Sequence, residues 1–330
     1  MNILITGGLG YVGSVLSRKM RTNNLDLIGI DPFWFATSAL NSYENDYKEL
    51  YKKQISDLSD TELKKILSNI DCVIALAAVS NDPMGNTFEE ITHEVNYNQN
   101  VRLYKLSIKA GVKKFIFASS CSVYGAGSES LSKETSKRNP LTAYSKSKVD
   151  FENFLSNQRD NIINISLRFA TAAGASNCPR TDLAVNDFVY TGLSKGKIQL
   201  NSAGTSNRPF ISVYDMCEAI QNFVLDKTII NSGHKIFNVG TDKNNFKIID
   251  VASKVASIIK CEMEFESAVE DTRNYKVSFE KYNKMFPKHE FQSLEEIIQL
   301  LIKQYKNIIL DERPKSDFVR LAVLKEILSK

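Results

Sequence analysis

A short apolar run, Asn2 to Thr6, leads without a spacer into Gly7-Gly8-Leu9-Gly10-Tyr11-Val12-Gly13. These residues satisfy G-x-G-x-x-G from Gly8 and G-x-x-G-x-x-G from Gly7. A strand that ends in such a turn and opens a helix has a definite physical use. The glycines allow a tight turn and let the backbone approach a pyrophosphate, and the N–H groups and dipole at the helix start stabilise its charge. Asp31 ends the second apolar run, about 20 residues after the glycines, where an acidic side chain accepts hydrogen bonds from the adenosine ribose 2′-OH and repels a 2′-phosphate. With Pro32 beside it, Asp31 taken alone reads as a strand-ending aspartate in a turn; its spacing from the glycines points instead to NAD rather than NADP.

The first half of the chain repeats this strand-helix rhythm. Apolar β-like runs at Leu25 to Ile30, Cys72 to Leu76 and Lys114 to Ala118 alternate with helical stretches from Tyr11 and over Thr87 to Ala110. Beyond Leu141 a helix to about Asn157 precedes another buried strand, Ile162 to Leu167. The pattern predicts an α/β fold, a Rossmann-type doubly wound parallel sheet. From Thr171 the periodicity loosens, with Gly, Pro and Asn clusters between helical stretches near Leu183 to Leu193 and Asp215 to Leu225. Helices are expected at Phe246 to Ile259, Ser293 to Ile308 and Pro314 to Leu328. We therefore expect residues 1–170 to form the NAD-binding domain. Residues 171–330 should form mainly a smaller, interleaved substrate lobe, with some segments returning to the sheet.

Several function classes are disfavoured. The net charge of +4 comes from scattered lysines, without the basic stripe and interleaved aromatics of a nucleic-acid binder. Five cysteines (Cys72, Cys121, Cys178, Cys217, Cys261) are an odd number with no CxxC pair, and the three histidines are isolated, so neither a disulfide framework nor a metal site is indicated. The N-terminal residues lack the pattern of a signal peptide, and the longest apolar run, Cys72 to Val79, is too short to span a bilayer. A cytoplasmic location is the expectation.

Tyr144 and Lys148 stand at i and i+4, on one face of a helix. A nearby ammonium would depress the phenol below its usual value of about 10 and make a phenolate base available. With 13 tyrosines and abundant lysine, about one Tyr-x-x-x-Lys arises by chance, so position must support the pair. It follows a buried strand ending in Ala118-Ser119-Ser120-Cys121-Ser122-Val123-Tyr124-Gly125 and a loop with Asn139-Pro140. Strand ends are where α/β active sites assemble. A serine hydroxyl there can bond the substrate oxygen that Tyr144 deprotonates, although loop capping is the ordinary role of Ser119, Ser120 or Ser122 taken singly.

The ordered set GGLGYVG, Asp31, Ala75-Leu76-Ala77-Ala78, SSCSVYG, YSKSK and Arg208-Pro209-Phe210-Ile211-Ser212-Val213-Tyr214-Asp215 resembles the NAD-dependent epimerase/dehydratase family of extended short-chain dehydrogenases, over nearly the whole chain. The resemblance implies Ser120, Tyr144 and Lys148 as catalytic residues. It implies Gly7, Gly10, Tyr11, Val12, Gly13, Asp31, Asp57, Leu58, Ala77 and Lys148 at the cofactor, with Asp57-Leu58 near the adenine. Asn96 matches a position given a structural or proton-relay role, and Ser120, Tyr144, Asn186, Arg208 and Arg273 match the sugar-nucleotide side. Departures exist: Ala75 stands where members often carry histidine, and Thr171 where related 4-epimerases frequently have asparagine. Cys121-Ser122 replaces the Asp-Glu typical of 4,6-dehydratases, which disfavours dehydration.

The resemblance thus implies NAD-dependent epimerisation at C4 of a nucleoside-diphosphate sugar, through a transient keto intermediate, in a homodimer; the charge distribution and short apolar runs add the expectation that it binds neither nucleic acid nor membrane. A one-way nucleotide-sugar dehydrogenase or keto-reductase uses the same residues and is the alternative. A non-catalytic NAD sensor with Cys121 as a responsive thiol, or an interaction module using the C-terminal amphipathic helix, explains the three catalytic matches less well.

Overall fold

The computed structural model describes residues 1–23, 25–35, 38–40, 43–126, 131–266 and 273–329. Its strands are β1 (Asn2–Thr6), β2 (Asp26–Ile30), β3 (Glu49–Tyr51), β4 (Cys72–Ala75), β5 (Lys114–Ser120) and β6 (Ile163–Phe169). Then come β7 (Thr171–Ala173), β8 (Lys197–Leu200), β9 (Asn207–Ser212), β10 (Gly233–Val239), β11 (Asn245–Lys247) and β12 (Glu262–Phe265). The helices are α1 (Gly13–Arg21), α2 (Asp60–Leu67), α3 (Asp82–Thr87), α4 (Glu89–His93), α5 (Gln99–Ala110) and α6 (Ala143–Ser156). They continue with α7 (Ala184–Lys195), α8 (Val213–Leu225), α9 (Ile248–Ile259), α10 (Glu280–Met285), α11 (Leu294–Leu310) and α12 (Arg320–Leu328).

Seven parallel strands form the main sheet in the order β10-β6-β5-β4-β1-β2-β3. Both faces are covered, and the two-residue alternation of each strand divides its side chains between them. Ile3, Ile5 and Ile116 enter the core shared with Leu16 and Met20 of α1 and with Ile220 and Phe223 of α8. Leu4, Phe115 and Phe117 point the other way, to Leu63 of α2, Leu103 of α5 and Phe151 of α6. After β1 the chain builds outward through β2 and β3, then returns to lay β4 on the other side of β1. This switch opens a crevice at the carboxyl ends of β1 and β4, where α/β proteins bind ligands.

Beside this sheet stand a three-stranded sheet, β11-β9-β7, and the parallel pair β12-β8. They share a core with α7, α9 and α11, including Phe188, Phe210, Val255, Ile298 and Leu301. Strand β10 pairs with β6 and α8 lies on α1, so segments beyond residue 171 do return to the first sheet. No helix among the described residues is long and apolar enough to cross a membrane.

Two expected helices are divided and a third is shortened at its start. The stretch over Thr87 to Ala110 breaks at Phe88 (φ −129°, ψ 61°) and passes through a π-helical turn, Glu94–Asn98, before α5. Phe88 and Val95 pack with Val79 and Met84, whereas Leu103 and Leu106 pack under the sheet, and one straight helix does not present both faces. The stretch from Pro314 to Leu328 splits at the extended Val319 for the same reason. Phe318 is buried beneath α11, but Leu324 joins Val79 and Met84. At Phe246 the chain is still in β11, paired with β9, and the helix starts only at Ile248.

Candidate active site

The glycine turn lies at the mouth of the crevice. Gly7 has φ +72°, and a Cβ there would stand 2.7 Å from the backbone nitrogen of Ala77, so this glycine lets the ends of β1 and β4 approach. A Cβ on Gly13 would stand 2.6 Å from Gly8, which keeps α1 close to the turn. At Gly10 the nearest neighbour of a Cβ among the described residues would be the Gly7 oxygen, at 3.4 Å; here the missing side chain leaves space in the cavity. Helix α1 begins without a side-chain cap; the N–H groups of Ser14, Val15 and Leu16 donate to the Gly10 and Val12 carbonyls, and the turn before them carries the approach to an anion. Asp31 accepts from the backbone nitrogens of Leu9 (2.9 Å) and Phe33 (2.7 Å). Burial pushes its carboxyl up, against these two bonds and the charge of Arg320. A small cavity of about 90 Å³ is lined by Asp31, Gly7, Gly10, Ala77, Gln54 and Ile55, among others. An open cradle at Gly10, an uncapped helix start and an acid at the end of β2 fit a dinucleotide.

The main cavity, about 510 Å³, runs from Gly7, Gly10, Tyr11, Val12 and Gly13 past Ser120, Tyr144 and Lys148 to Arg208 and Arg273. Ser120 closes β5, and its Oγ accepts from the nitrogen of Ser122 at 3.1 Å. Thr142 caps α6 in a reciprocal box with Ser145, which fixes Tyr144 at the first turn of that helix. Lys148 lies one turn further on, its Nζ donating to the Ala118 carbonyl at 2.8 Å and 5.5 Å from the centre of the Tyr144 ring. The sequence expectation that Lys148 lowers the phenol needs correction. Burial raises Tyr144 to about 12, opposed by a hydrogen bond from Ser120 and the charge of Arg180, while Asp82 adds to the rise. Burial also brings Lys148 down to about 7, with Glu152 opposing. Desolvation acts on both groups and outweighs their pairing.

Other expected residues fall outside the cavity. Asn186 is fully buried and turned to backbone, bonding Gly174 N (2.9 Å) and the Arg180 carbonyl (2.9 Å); it braces a loop and does not face the cleft. Asp57 is exposed and caps the turn at Gln54, and Leu58 belongs to the core, so Gln54 and Ile55 line the small cavity in their place. Asn96 bonds both backbone groups of Val79 and the hydroxyl of Ser147, tying the loop after β4 to α6. The Cys121 thiol is 1 % exposed and donates to the Arg168 carbonyl at 3.2 Å, and burial pushes it far up, contrary to a responsive thiol.

Sequence reasoning named Arg208 and Arg273 but missed the rest of a polar rim around the cleft. Arg180 grips Asp182 at 2.9 and 2.7 Å and donates to Ser80 O and Oγ at 3.1 and 3.0 Å. Asn81 bonds Asp182 at 2.8 Å. Asp82 accepts from Thr142 Oγ1 at 2.5 Å and pairs with Arg273. Arg208 bonds the Arg273 carbonyl and lies over the Tyr275 ring at 5.0 Å. Phe35 and Arg320 also line the cavity. These residues come from places far apart in sequence, Asp82 opening α3, Arg208 in β9 and Arg320 opening α12, so no shared periodicity marks them; only the Arg180-x-Asp182 spacing gives a local hint.

The family model described as "NAD dependent epimerase/dehydratase family" matches residues 3–240. The chain belongs to this family. Its fold and its glycine turn are those of an NAD-dependent enzyme of the epimerase/dehydratase family. Among relatives, a UDP-glucose 4-epimerase of Lactobacillus helveticus is 27 % identical over 285 residues, covering 78 % of this chain and 82 % of that protein. A dTDP-D-glucose 4,6-dehydratase of Mus musculus is 26 % identical over 296 residues, covering 86 % and 79 %. The crystal structure of a UDP-glucuronic acid 4-epimerase from Bacillus cereus, in complex with UDP-glucuronic acid and NAD, superposes with a TM-score of 0.81 at 23 % identity, covering 93 % of this chain and all of that one. That likeness carries the fold.

Proposed function

We propose that this family member epimerises a nucleoside-diphosphate sugar at C4 through a transient keto intermediate, in the cytoplasm and as a homodimer. The observation that carries the reading is the convergence of Ser120, Tyr144 and Lys148 on one cavity that reaches the glycine turn at one end and Arg208 and Arg273 at the other. NAD, when bound, would take hydride from the sugar carbon and return it to the other face. Gly7, Gly10, Tyr11, Val12, Gly13, Asp31 and Ala77 would hold it. Tyr144 Oη, as phenolate, takes the proton of the 4-hydroxyl, and Ser120 bonds the same oxygen; the phenol that burial raises to about 12 in the cofactor-free protein would be brought to that form by the positive charges of protonated Lys148 and bound NAD. Lys148, fixed to Ala118, places positive charge beside the phenol when protonated. Arg208 and Arg273 suit the substrate diphosphate by charge and fork geometry.

Relatives named as 4-epimerases support this reading, and the residues after Ser120 separate it from dehydration. Cys121 is buried and aimed at a carbonyl, and Ser122 supplies no ionisable group, so the acid-base pair that would expel water at that place is missing. The test uses protein purified without added cofactor. Released NAD and NADH are quantified after denaturation, and a native sample is incubated with UDP-, GDP- and dTDP-sugars while products are followed by NMR. The expected result is near-stoichiometric NAD and an epimeric product, with Tyr144→Phe inactive but still holding NAD. Accumulation of bound NADH with a keto sugar after one turnover would make the enzyme a dehydrogenase instead. Substantial activity in Tyr144→Phe would overturn the assignment of the base.

A further inference from the structure

Helix α12 lies some 300 residues from the glycine turn in sequence but packs on α3 and borders the cavity that the turn also lines. Leu324 packs with Val79 and Met84, joined by Trp34 and Leu321. Arg320, the first residue of α12, is 2 % exposed and lines the main cavity. Its Nη1 donates to Ser38 Oγ at 2.5 Å, and its Nη2 donates to the Cys178 carbonyl at 3.1 Å and contacts the Cys178 sulfur at 2.9 Å. The guanidinium carbon lies 4.1 Å from the centre of the Phe35 ring. All these partners are neutral, and among the described residues no carboxylate comes within 4.0 Å of the guanidinium. A buried cation that touches no anion is costly, because desolvation is repaid only in part by carboxylates at longer range, here Asp31 and Asp182.

The residues holding Arg320 are themselves fixed to the glycine turn. Ser176 Oγ donates to the Tyr11 carbonyl at 2.7 Å and accepts from Cys178 N at 3.1 Å. Tyr43, next to Cys178, donates to the Leu9 carbonyl at 2.7 Å. The charge is felt on both sides of the cleft, at Asp31 and at Asp182.

We propose that Arg320 is the counter-charge for the cofactor's diphosphate at the glycine turn, which makes α12 a cofactor-retaining element. The idea rests on NAD being the cofactor. It adds a cation to a turn that offers backbone N–H groups and a helix dipole, where the charge of nearby Arg180 is already paired with Asp182. An anion that completes the Arg320 site removes the cost of the buried charge, so binding gains from both partners. The sugar nucleotide's diphosphate is the other anion in reach of the cavity, and the test separates the two.

NAD and UDP affinities are measured by calorimetry on wild type, Arg320→Gln and Arg320→Met, each stripped of cofactor. The methionine variant keeps the stem against Phe35 and deletes only the charged end. We expect the Kd for NAD to rise about 10- to 100-fold, the range of a lost charge-assisted hydrogen bond, and the Kd for UDP to stay within about two-fold of wild type. Purified variants should also carry less NAD. An unchanged NAD affinity in either folded variant overturns the proposal, as does a loss confined to UDP. If neither neutral variant folds, Arg320→Lys decides: it keeps a charge but loses the fork, so NAD must weaken while UDP does not, and unchanged NAD binding overturns the proposal. Wild-type protein that binds no NAD would be a failure of the cofactor reading itself, which is a different outcome from wild type binding while the variants are indifferent.

Discussion

Replacing Glu152 with glutamine removes the charge from the most enclosed ion pair near the active site. Glu152 accepts from Arg168 Nε and Nη2 at 2.9 and 2.6 Å and from Ser119 Oγ at 2.6 Å. Arg138 reaches it at 3.3 Å. The side chains of Glu152 and Arg168 are 0 % and 1 % exposed. Glutamine keeps one acceptor, turns an amide donor against a guanidinium donor and leaves Arg168 buried without its anion. Breaking such a pair costs about 3–5 kcal/mol. With an unfolding entropy of about 2.1 cal/mol/K per residue, 330 residues give roughly 0.7 kcal/mol/K, so Tm should fall by about 4–7 °C. Burial raises the Glu152 carboxyl, but Arg168, Ser119 and Arg138 together hold it below the usual value. A carboxylate with a depressed folded pKa stabilises fully above its unfolded value, about 4.3, and that stability is lost as pH falls below it. The gap between wild type and variant should therefore be full at pH 7 and narrower at about pH 3.5. Adding Arg168→Met removes the orphaned cation and should recover part of the loss. Thermal melts of wild type and the two variants at both pH values are the assay. A Tm within about 1 °C of wild type at pH 7, or a gap that is the same at both pH values, would refute this account of the pair.

Two further outcomes follow from the site. Gly10→Ala should fold normally and bind NAD more weakly, because its Cβ enters the cavity. Gly13→Ala should lower Tm by pushing α1 off the turn; melts and calorimetry on both variants test the contrast, which fails if the two behave alike. Lys148 in the cofactor-free protein has its folded pKa lowered to about 7, so between that pH and its unfolded value the unfolded chain binds more protons. Wild type should thus gain stability relative to Lys148→Met as pH rises from 7 towards 10, and a gap that does not vary with pH would contradict the burial of the ammonium.

Local signals made the glycine turn, Asp31 and the Tyr144–Lys148 pair legible, since a strand, a turn and one helical repeat fix their neighbours within a few residues. The parallel sheet followed from the same short-range rhythm. Strand β3 gave no comparable signal because it has only three residues, Glu49 to Tyr51, at the sheet edge. The pKa of Tyr144 was misjudged because sequence spacing shows the ammonium but not the desolvation around both groups. Asn186 carries the residue type of a ligand contact, but its direction is set by the Gly174 and Arg180 backbones, which only the folded loop brings to it. Asp82 and Arg320 were invisible for a related reason: each meets its partners across long stretches of chain, and such contacts leave no period to read; Arg180 has Asp182 two residues on, but its reach to Ser80 across the cleft is equally unmarked.

The place of α12 also bears on the order of events during synthesis. The strand, turn and helix that start the dinucleotide site are made first, and domains tend to fold as they emerge from the ribosome. Val79 and Met84, however, wait for Leu324, and the Cys178 carbonyl waits for Arg320. A nascent chain stopped before residue 320 would carry the glycine turn but an unsealed cleft, with an apolar patch where α12 belongs. Loading of the cofactor would then be a late event in the life of each molecule, and a chain missing those residues would be recognisable to quality control by that patch.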